Sequence, residues 1–325
     1  MQRYFDNLKQ ADFRDRRKKE IKRFLERNIP LIGFFALLVV MGFLSPAFFT
    51  QYNILSVLRQ ASINGLVAYG MFVVILTAGI DLSVGSTLAV SSMVMAKLIT
   101  SGMNSPLAIL IALLIGAGVG LINGLLISKG KLQPMIATLS TMMAFRGVTL
   151  YISNGVPVSR LGEGFIGWIG RGSFGGVPLP VYVLFVVAVI MAFVLKYTVF
   201  GKRVYAIGGN IKAASLSGIR VERMIIYVYM ISGLLSALAG VILTSRIDSA
   251  VPTAGQAYEL TAIASVVIGG SSLQGGRGRA LGTLVGILII AVISNGLNLL
   301  GTSPYLQQIA TGLIIVIAVI FDRKK

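Results

Sequence analysis

The chain has 325 residues, of which 55% are hydrophobic and 12% charged, and its mean hydropathy is +0.85. A soluble domain carries about 25% charged residues, so this composition belongs in a bilayer rather than in water. The formal charge is +18 and there is no Cys and no His, which excludes disulfides, thiolate or imidazole metal sites, and Ser-His or Cys-His nucleophilic catalysis.

The first 28 residues hold ten of the 29 cations, between Arg3 and Arg27. Segment 1–28 therefore reads as a basic cytoplasmic extension that anchors topology and also suits anionic lipid. It is too long and too basic for a cleavable signal, and no nucleic-acid partner is implied. Continuous apolar runs follow, and a bilayer satisfies backbone polar groups only in helices or closed barrels. The runs are uninterrupted rather than alternating, which selects helices. The expected fold is all-α and polytopic, with about ten transmembrane helices. They fall near 29–49, 53–78, 84–99, 106–127, 134–151, 181–197, 224–245, 258–268, 280–299 and 305–321. The eighth is the shortest and reads as a full span or as a re-entrant segment. With both ends inside, the interior loops and tails hold 23 cations and the exterior five (Arg59, Lys97, Arg160, Arg171, Arg246), which is the positive-inside pattern.

In chain order, Asp81 is the first charge to be explained, in GIDLSVG between the second and third spans. A carboxylate deep in a bilayer costs roughly 2.5–3.5 kcal/mol on insertion scales. It either shapes a broken helix near a pathway or inner gate, or caps the third helix from the cytoplasmic edge. Gly116, Gly120 and Gly124 recur every fourth residue on the fourth span, and Gly282 and Gly286 repeat the spacing on the ninth, as close helix packing requires. Arg146 sits midway in the fifth span and must face protein or water, on carbonyls, on Asp81 or on a polar solute. The outer segment 152–180 is rich in Gly and Pro, carries Trp168 and reads as a short external cap. Arg246, Asp248 and Glu259 lie near the outer ends of the seventh and eighth spans, as an ion pair or a docking surface. GIDLSVG and GGSSLQGG occupy matching inner positions, a hint of an internal repeat.

The long inner loop, 198–223, continues into FGKRVYAIGGNIKAASLSGIRVERM at 200–224. Gly208, Gly209 and Asn210 read as a tight turn, because Gly and Asn tolerate positive φ. Asn210 then caps a short helix over 211–217, with Ala213, Ala214 and Ser217 as its small face and Gly218 as its stop.

This loop resembles the coupling loop of ABC importer permeases in the branch that serves ribose and related monosaccharides. The matching residues are Gly208, Gly209, Asn210, Ala213, Ala214, Ser217 and Gly218. ILTAGIDLSVGS (75–86), ATLSTMMAFRGVT (137–149), ISNGVPV (152–158), the stretch from Ser249 to Thr283 and SNGLNLLGTSPYLQQI (294–309) resemble the same family. The likeness spans nearly everything after the basic extension, so that 29–325 is expected to be one importer transmembrane domain. It implies a second permease subunit, as a homodimer or with a paralogue, a cytoplasmic ATPase subunit and a periplasmic sugar-binding protein, in a bacterial inner membrane. ATP and Mg would sit on the ATPase, leaving no cofactor, metal or catalytic residue here. In agreement, no phosphate loop occurs: Gly130-Lys131 and Gly201-Lys202 lack the earlier Gly and the following Ser or Thr.

A sugar pathway needs hydroxyl and amide groups. Asn64, Asn295 and Asn298 join Asp81 and Arg146 as pathway or gate candidates, among many others such as Asn123, Thr138 and Thr141. The competing readings are a stand-alone secondary transporter or channel, for which Asp81 is the single evident intramembrane acid, and an intramembrane enzyme.

Overall fold

The computed structural model describes residues 28–322. The basic extension, apart from Asn28, and the terminal cations Arg323, Lys324 and Lys325 lie outside the described residues. Thirteen helices account for most of the described chain. They are α1 (Asn28–Leu44), α2 (Gln51–Leu76), α3 (Val84–Thr100), α4 (Ser105–Ser128), α5 (Pro134–Ser153), α6 (Gly164–Arg171), α7 (Leu179–Tyr197), α8 (Val199–Gly209), α9 (Ile211–Leu216), α10 (Val221–Ile247), α11 (Tyr258–Ile268), α12 (Ala280–Leu299) and α13 (Pro304–Asp322). Among the described residues, α2, α4, α5, α7, α10 and α12 are long and apolar enough to cross a membrane, while α1, α3 and α11 are apolar but shorter.

Local chemistry sets the helix ends. Thr50 caps α2 by accepting from the Asn53 amide, and Thr77 closes it with a hydroxyl bond to Val74 O at 2.8 Å. Pro134 opens α5, and Asn154 ends it in the left-handed conformation, in which its amide and that of Gly155 donate to the last carbonyls. Between α7 and α8, extended Thr198 turns the chain: its hydroxyl donates to Val194 O at 2.6 Å and accepts from the Gly201 amide.

α2 and α10 form the buried centre, with Leu66, Tyr69, Phe72, Tyr229 and Ile242 shielded almost completely. α4 lies directly on α10. A methyl added at Gly116 would overlap Gly233 O, one at Gly120 would overlap Tyr229 O, and one at Gly124 would sit 2.6 Å from Ile226 Cα. The four-residue glycine repeat is thus a backbone-to-backbone seam. On α12, Gly282 and Gly286 meet Gly269 O and Ser265 O in the same way.

Segment 152–180 forms a cap on the end of α10. β1 (Val158–Ser159) pairs antiparallel with β4 (Ser249–Ala250), and β2 (Ser173–Phe174) with β3 (Val177–Pro178). Beneath them, Ser245 donates to Ile166 O, tying α6 to α10.

Replacing Gly120 by Ala is expected to lower stability by about 1–3 kcal/mol through overpacking of the α4–α10 seam. Gly118→Ala on the same helix, where a methyl meets nothing, should be neutral or stabilise by up to about 1 kcal/mol. Thermal unfolding of the detergent-solubilised protein measures both.

Candidate functional site

Asp81 lies at the end of a chain reversal. α2 stops at Leu76, Ala78 takes a left-handed φ of 61°, and the chain turns back into the bundle before α3 starts at Val84. Tyr229 holds the reversal by donating to Ile80 O at 3.3 Å. The carboxylate is 1% exposed. One oxygen accepts from the Ser83 amide at 3.0 Å and the Ser83 hydroxyl at 2.6 Å, and the other from the Ser232 hydroxyl at 2.8 Å. A carboxylate offers only acceptors, so three converging donors suit its ionised form. Ser232 stands eleven residues into α10, which at 1.5 Å per residue is about 16 Å from its start. Asp81 therefore sits well inside the bundle, held between Ser83 and Ser232, and its side chain does not cap the first turn of α3.

The contacts continue sideways. Asn123 on α4 donates to the Ser83 hydroxyl at 2.8 Å and accepts from Thr141 on α5 at 2.6 Å. Thr138, one turn away, donates to Pro134 O at 2.9 Å and brings its hydroxyl to 3.3 Å from Ile80 O. Four elements thus share one buried polar chain around a single carboxylate.

α11 also begins inside the bundle. A methyl at Gly85, in the first turn of α3, would overlap Gly255 O and lie 3.1 Å from the Glu259 carboxylate. The starts of two short helices therefore meet. Arg146 does not reach Asp81. Its Nη1 donates to Pro252 O at 2.6 Å and Ala254 O at 2.9 Å, pinning the segment that enters α11. Arg146, Glu259, Gln256, Ser86 and Met143 border one cavity of about 430 Å³. Glu259 is thereby a second acid within the bundle and not a companion of Asp248. Asp248 instead holds the outer cap, accepting from the Leu161 amide at 3.1 Å and lying 3.8 Å from Arg171. Arg246 is half-buried on α10.

The 198–223 loop differs from the expected double turn. Residues 199–209 form α8, so Gly208 and Gly209 end a helix, and neither has a positive φ. Gly208 is needed for a different reason: a side chain there would collide with Leu76 O and with the Gly276 amide. Asn210 is extended and caps α9 by accepting from the Ala213 amide at 3.0 Å, and Gly218 takes φ 80°, as the sequence predicts, whereas Ala214, expected on the small face with Ala213 and Ser217, is buried within the chain. α9 ends at Leu216, with Ser217 as its cap. The 269–279 loop bridges α8 and α2. The Gly276 amide donates to Leu76 O at 3.0 Å, Tyr205 donates to Gly278 O at 2.9 Å, and Tyr69 donates to Ala280 O at 3.0 Å. Burial pushes the Tyr205 phenol up, with nearby Arg279 opposing, so it stays protonated and remains a donor. A cavity of about 620 Å³ separates Asn210 and Lys212 from Thr77, Gly79 and Tyr229.

The amide candidates do not converge on this region. Asn295 and Asn53 exchange two hydrogen bonds, at 2.7 and 3.0 Å, tying α12 to the start of α2. Asn298 accepts from Gln307 at 2.7 Å, and the Asn64 Oδ1 is buried without a hydrogen-bond partner. Sequence reasoning missed Ser83, Ser232 and Gln256. Ser83 lies within the GIDLSVG motif, while nothing local distinguishes Ser232 or Gln256 from other polar residues.

A bundle of apolar helices, two of them starting inside it beside buried charges, with a compact helical unit on its inner loop, has the form of a membrane transport subunit. Residues 53–319 match the family described as "Branched-chain amino acid transport system / permease component", and the chain belongs to that family. Among its relatives, the ribose import permease protein of Bacillus subtilis is 54% identical over 297 residues, covering 91% of this chain and 92% of the relative. The ribose import permease protein of Escherichia coli is 46% identical over 310 residues, 94% and 96% of the two chains. The D-allose transport system permease protein of Escherichia coli is 43% identical over 289 residues, 88% of each. No solved structure matches the chain at a significant level.

Asp81→Asn keeps one acceptor oxygen and introduces an amide among donors, so it should destabilise by about 1–3 kcal/mol. Ser232→Ala should cost about 1 kcal/mol. The double variant should lose less than the two together, by about 0.5 kcal/mol or more in a double-mutant cycle.

Proposed function

We propose that this chain is the membrane-spanning permease subunit of an ATP-driven importer that carries a monosaccharide, ribose, into the cytoplasm across a bacterial inner membrane. The observation that carries this reading is the identity with two ribose import permeases over at least nine-tenths of each chain.

Ten helices supply the spans in this reading: α1–α5, α7 and α10–α13. Both termini lie inside, supported by the 23-to-5 distribution of cations. At 11 residues α11 is about 17 Å long, too short alone for a core about 30 Å thick. It completes its crossing with the irregular segment that Arg146 pins, and such backbone is tolerated at depth where protein surrounds it.

Hydrolysis of ATP, with its Mg, belongs to a separate cytoplasmic ATPase subunit. Its contact is α9, the coupling helix. Leu216 is 90% exposed and Ile211 is also exposed, giving an apolar pair on a cytoplasmic helix, while buried Ala214 seats the helix on the bundle. Movement of α8 and α9 reaches the interior through Gly208 and Gly276 at the end of α2, and from there the reversal that holds Asp81. Two copies of the chain form the translocation unit. A periplasmic sugar-binding protein docks on the outer side near Arg246, Asp248 and the 152–180 cap.

Leu216→Asp should leave the protein in the membrane, because the side chain touches little of its own chain. It should also cut ribose uptake by the reconstituted importer at least about tenfold, as loss of an exposed anchor residue does. Normal uptake would remove α9 from the coupling role, and uptake by the purified chain alone under an ion gradient would overturn the importer assignment.

A further inference from the structure

The cavity beside α5 combines groups that the packing of the bundle does not use up. Arg146 spends Nη1 on two carbonyls, which leaves Nη2 and Nε as further donors with no bond to other described residues. Glu259 stands in the first turn of α11, half-buried, and makes no ion pair with Arg146 or with any other described cation. Its two oxygens offer about four acceptor positions, of which the backbone amides of Ala257 and Glu259 occupy part and the remainder face the cavity. Gln256 is exposed and supplies both a donor and an acceptor, and Ser86 lies on the same wall. The opposite charges balance, so the space favours neither a cation nor an anion. Met142 and Met143 form an apolar, adaptable side, matched to the C–H face of a ring. The volume, about 430 Å³, lies in the range of small-molecule sites, roughly 300–1,000 Å³.

We propose that this cavity holds the translocated solute in transit. The solute is a neutral polyhydroxylated molecule of pentose size, with Arg146 and Gln256 donating to its oxygens and Glu259 accepting from its hydroxyls. The assignment rests on the reading of the chain as a sugar importer permease. It gives Arg146 a double duty: Nη1 fixes the segment entering α11, and the rest of the guanidinium meets the solute.

Because Arg146 also anchors backbone, the test uses Gln256 and Met143, both exposed; Met143 is 68% exposed. The complete importer, with its ATPase and binding protein, is reconstituted in vesicles. Radiolabelled D-ribose uptake is measured beside the ATPase activity stimulated by sugar-loaded binding protein. Gln256→Leu and Met143→Trp should each lower uptake about fivefold to tenfold, the equivalent of one lost hydrogen bond or a filled cavity, with stimulated ATPase unchanged. The chain has no cysteine, so Gln256→Cys introduces its single thiol. A maleimide should then block uptake by that variant, again without loss of stimulated ATPase, and leave the wild type unaffected. Uptake at the wild-type level in both exposed-site variants and after maleimide would overturn the cavity assignment while leaving the importer reading intact. Parallel loss of uptake and stimulated ATPase would mark a docking or coupling fault and would also overturn it. Absence of ribose uptake by the wild-type complex would bring down the importer reading and this assignment together.

Discussion

Everything near the centre of this protein answers to one constraint, the burial of the Asp81 carboxylate. A charge removed from water must be surrounded by donors or it is lost as a charge. Ser83 and Ser232 provide three hydrogen bonds, and their geometry fixes where the chain may reverse after α2. The reversal sets the depth at which α3 begins. Asn123, Thr141 and Thr138 then join α4 and α5 to the same point.

The second constraint is the approach of backbone to backbone. α4 lies on α10, α12 on α11, and α8 on the end of α2, each through a glycine whose missing side chain removes the obstacle. These contacts connect α8 and α9 to the interior of the bundle through packed backbone. Leu76 O accepts from Gly276 while abutting Gly208, and five residues later the chain reaches Asp81. In the proposed coupling role, a displacement at α9 would have a short route inward through these contacts. Close-packed contacts of this kind shift between discrete arrangements rather than deforming gradually.

The apolar helices were legible in the sequence because a bilayer dictates the length and continuity of apolar runs. The ten expected segments recur as helices with ends displaced by a few residues, most at the close of the first. The cap of α9 by Asn210 and its stop at Gly218 were legible for the same local reason, since both depend on residues next to each other. The pair Gly208 and Gly209 misled. Glycine serves two purposes, positive φ and absence of volume, and sequence spacing does not separate them. Here the second applies at Gly208 alone, since a side chain at Gly209 would meet nothing, and the two residues end α8 instead of bending the chain. Glu259 misled likewise: its place near the outer end of a short span pointed to the surface, whereas the segment before α11 descends into the bundle and brings it to Arg146 and Gly85.

By itself the sequence determined that this is a helical membrane protein with no phosphate loop, no thiol and no imidazole, carrying a capped helix on its long 198–223 loop. Those properties depend on composition and on neighbours along the chain. Tertiary structure alone decided that Asp81 rests on Ser232, that Arg146 binds the carbonyls of Pro252 and Ala254, and that Glu259 and Gln256 share its cavity. A charged group's partner is the nearest donor or acceptor in space, and in this bundle those partners come from helices far apart in the chain.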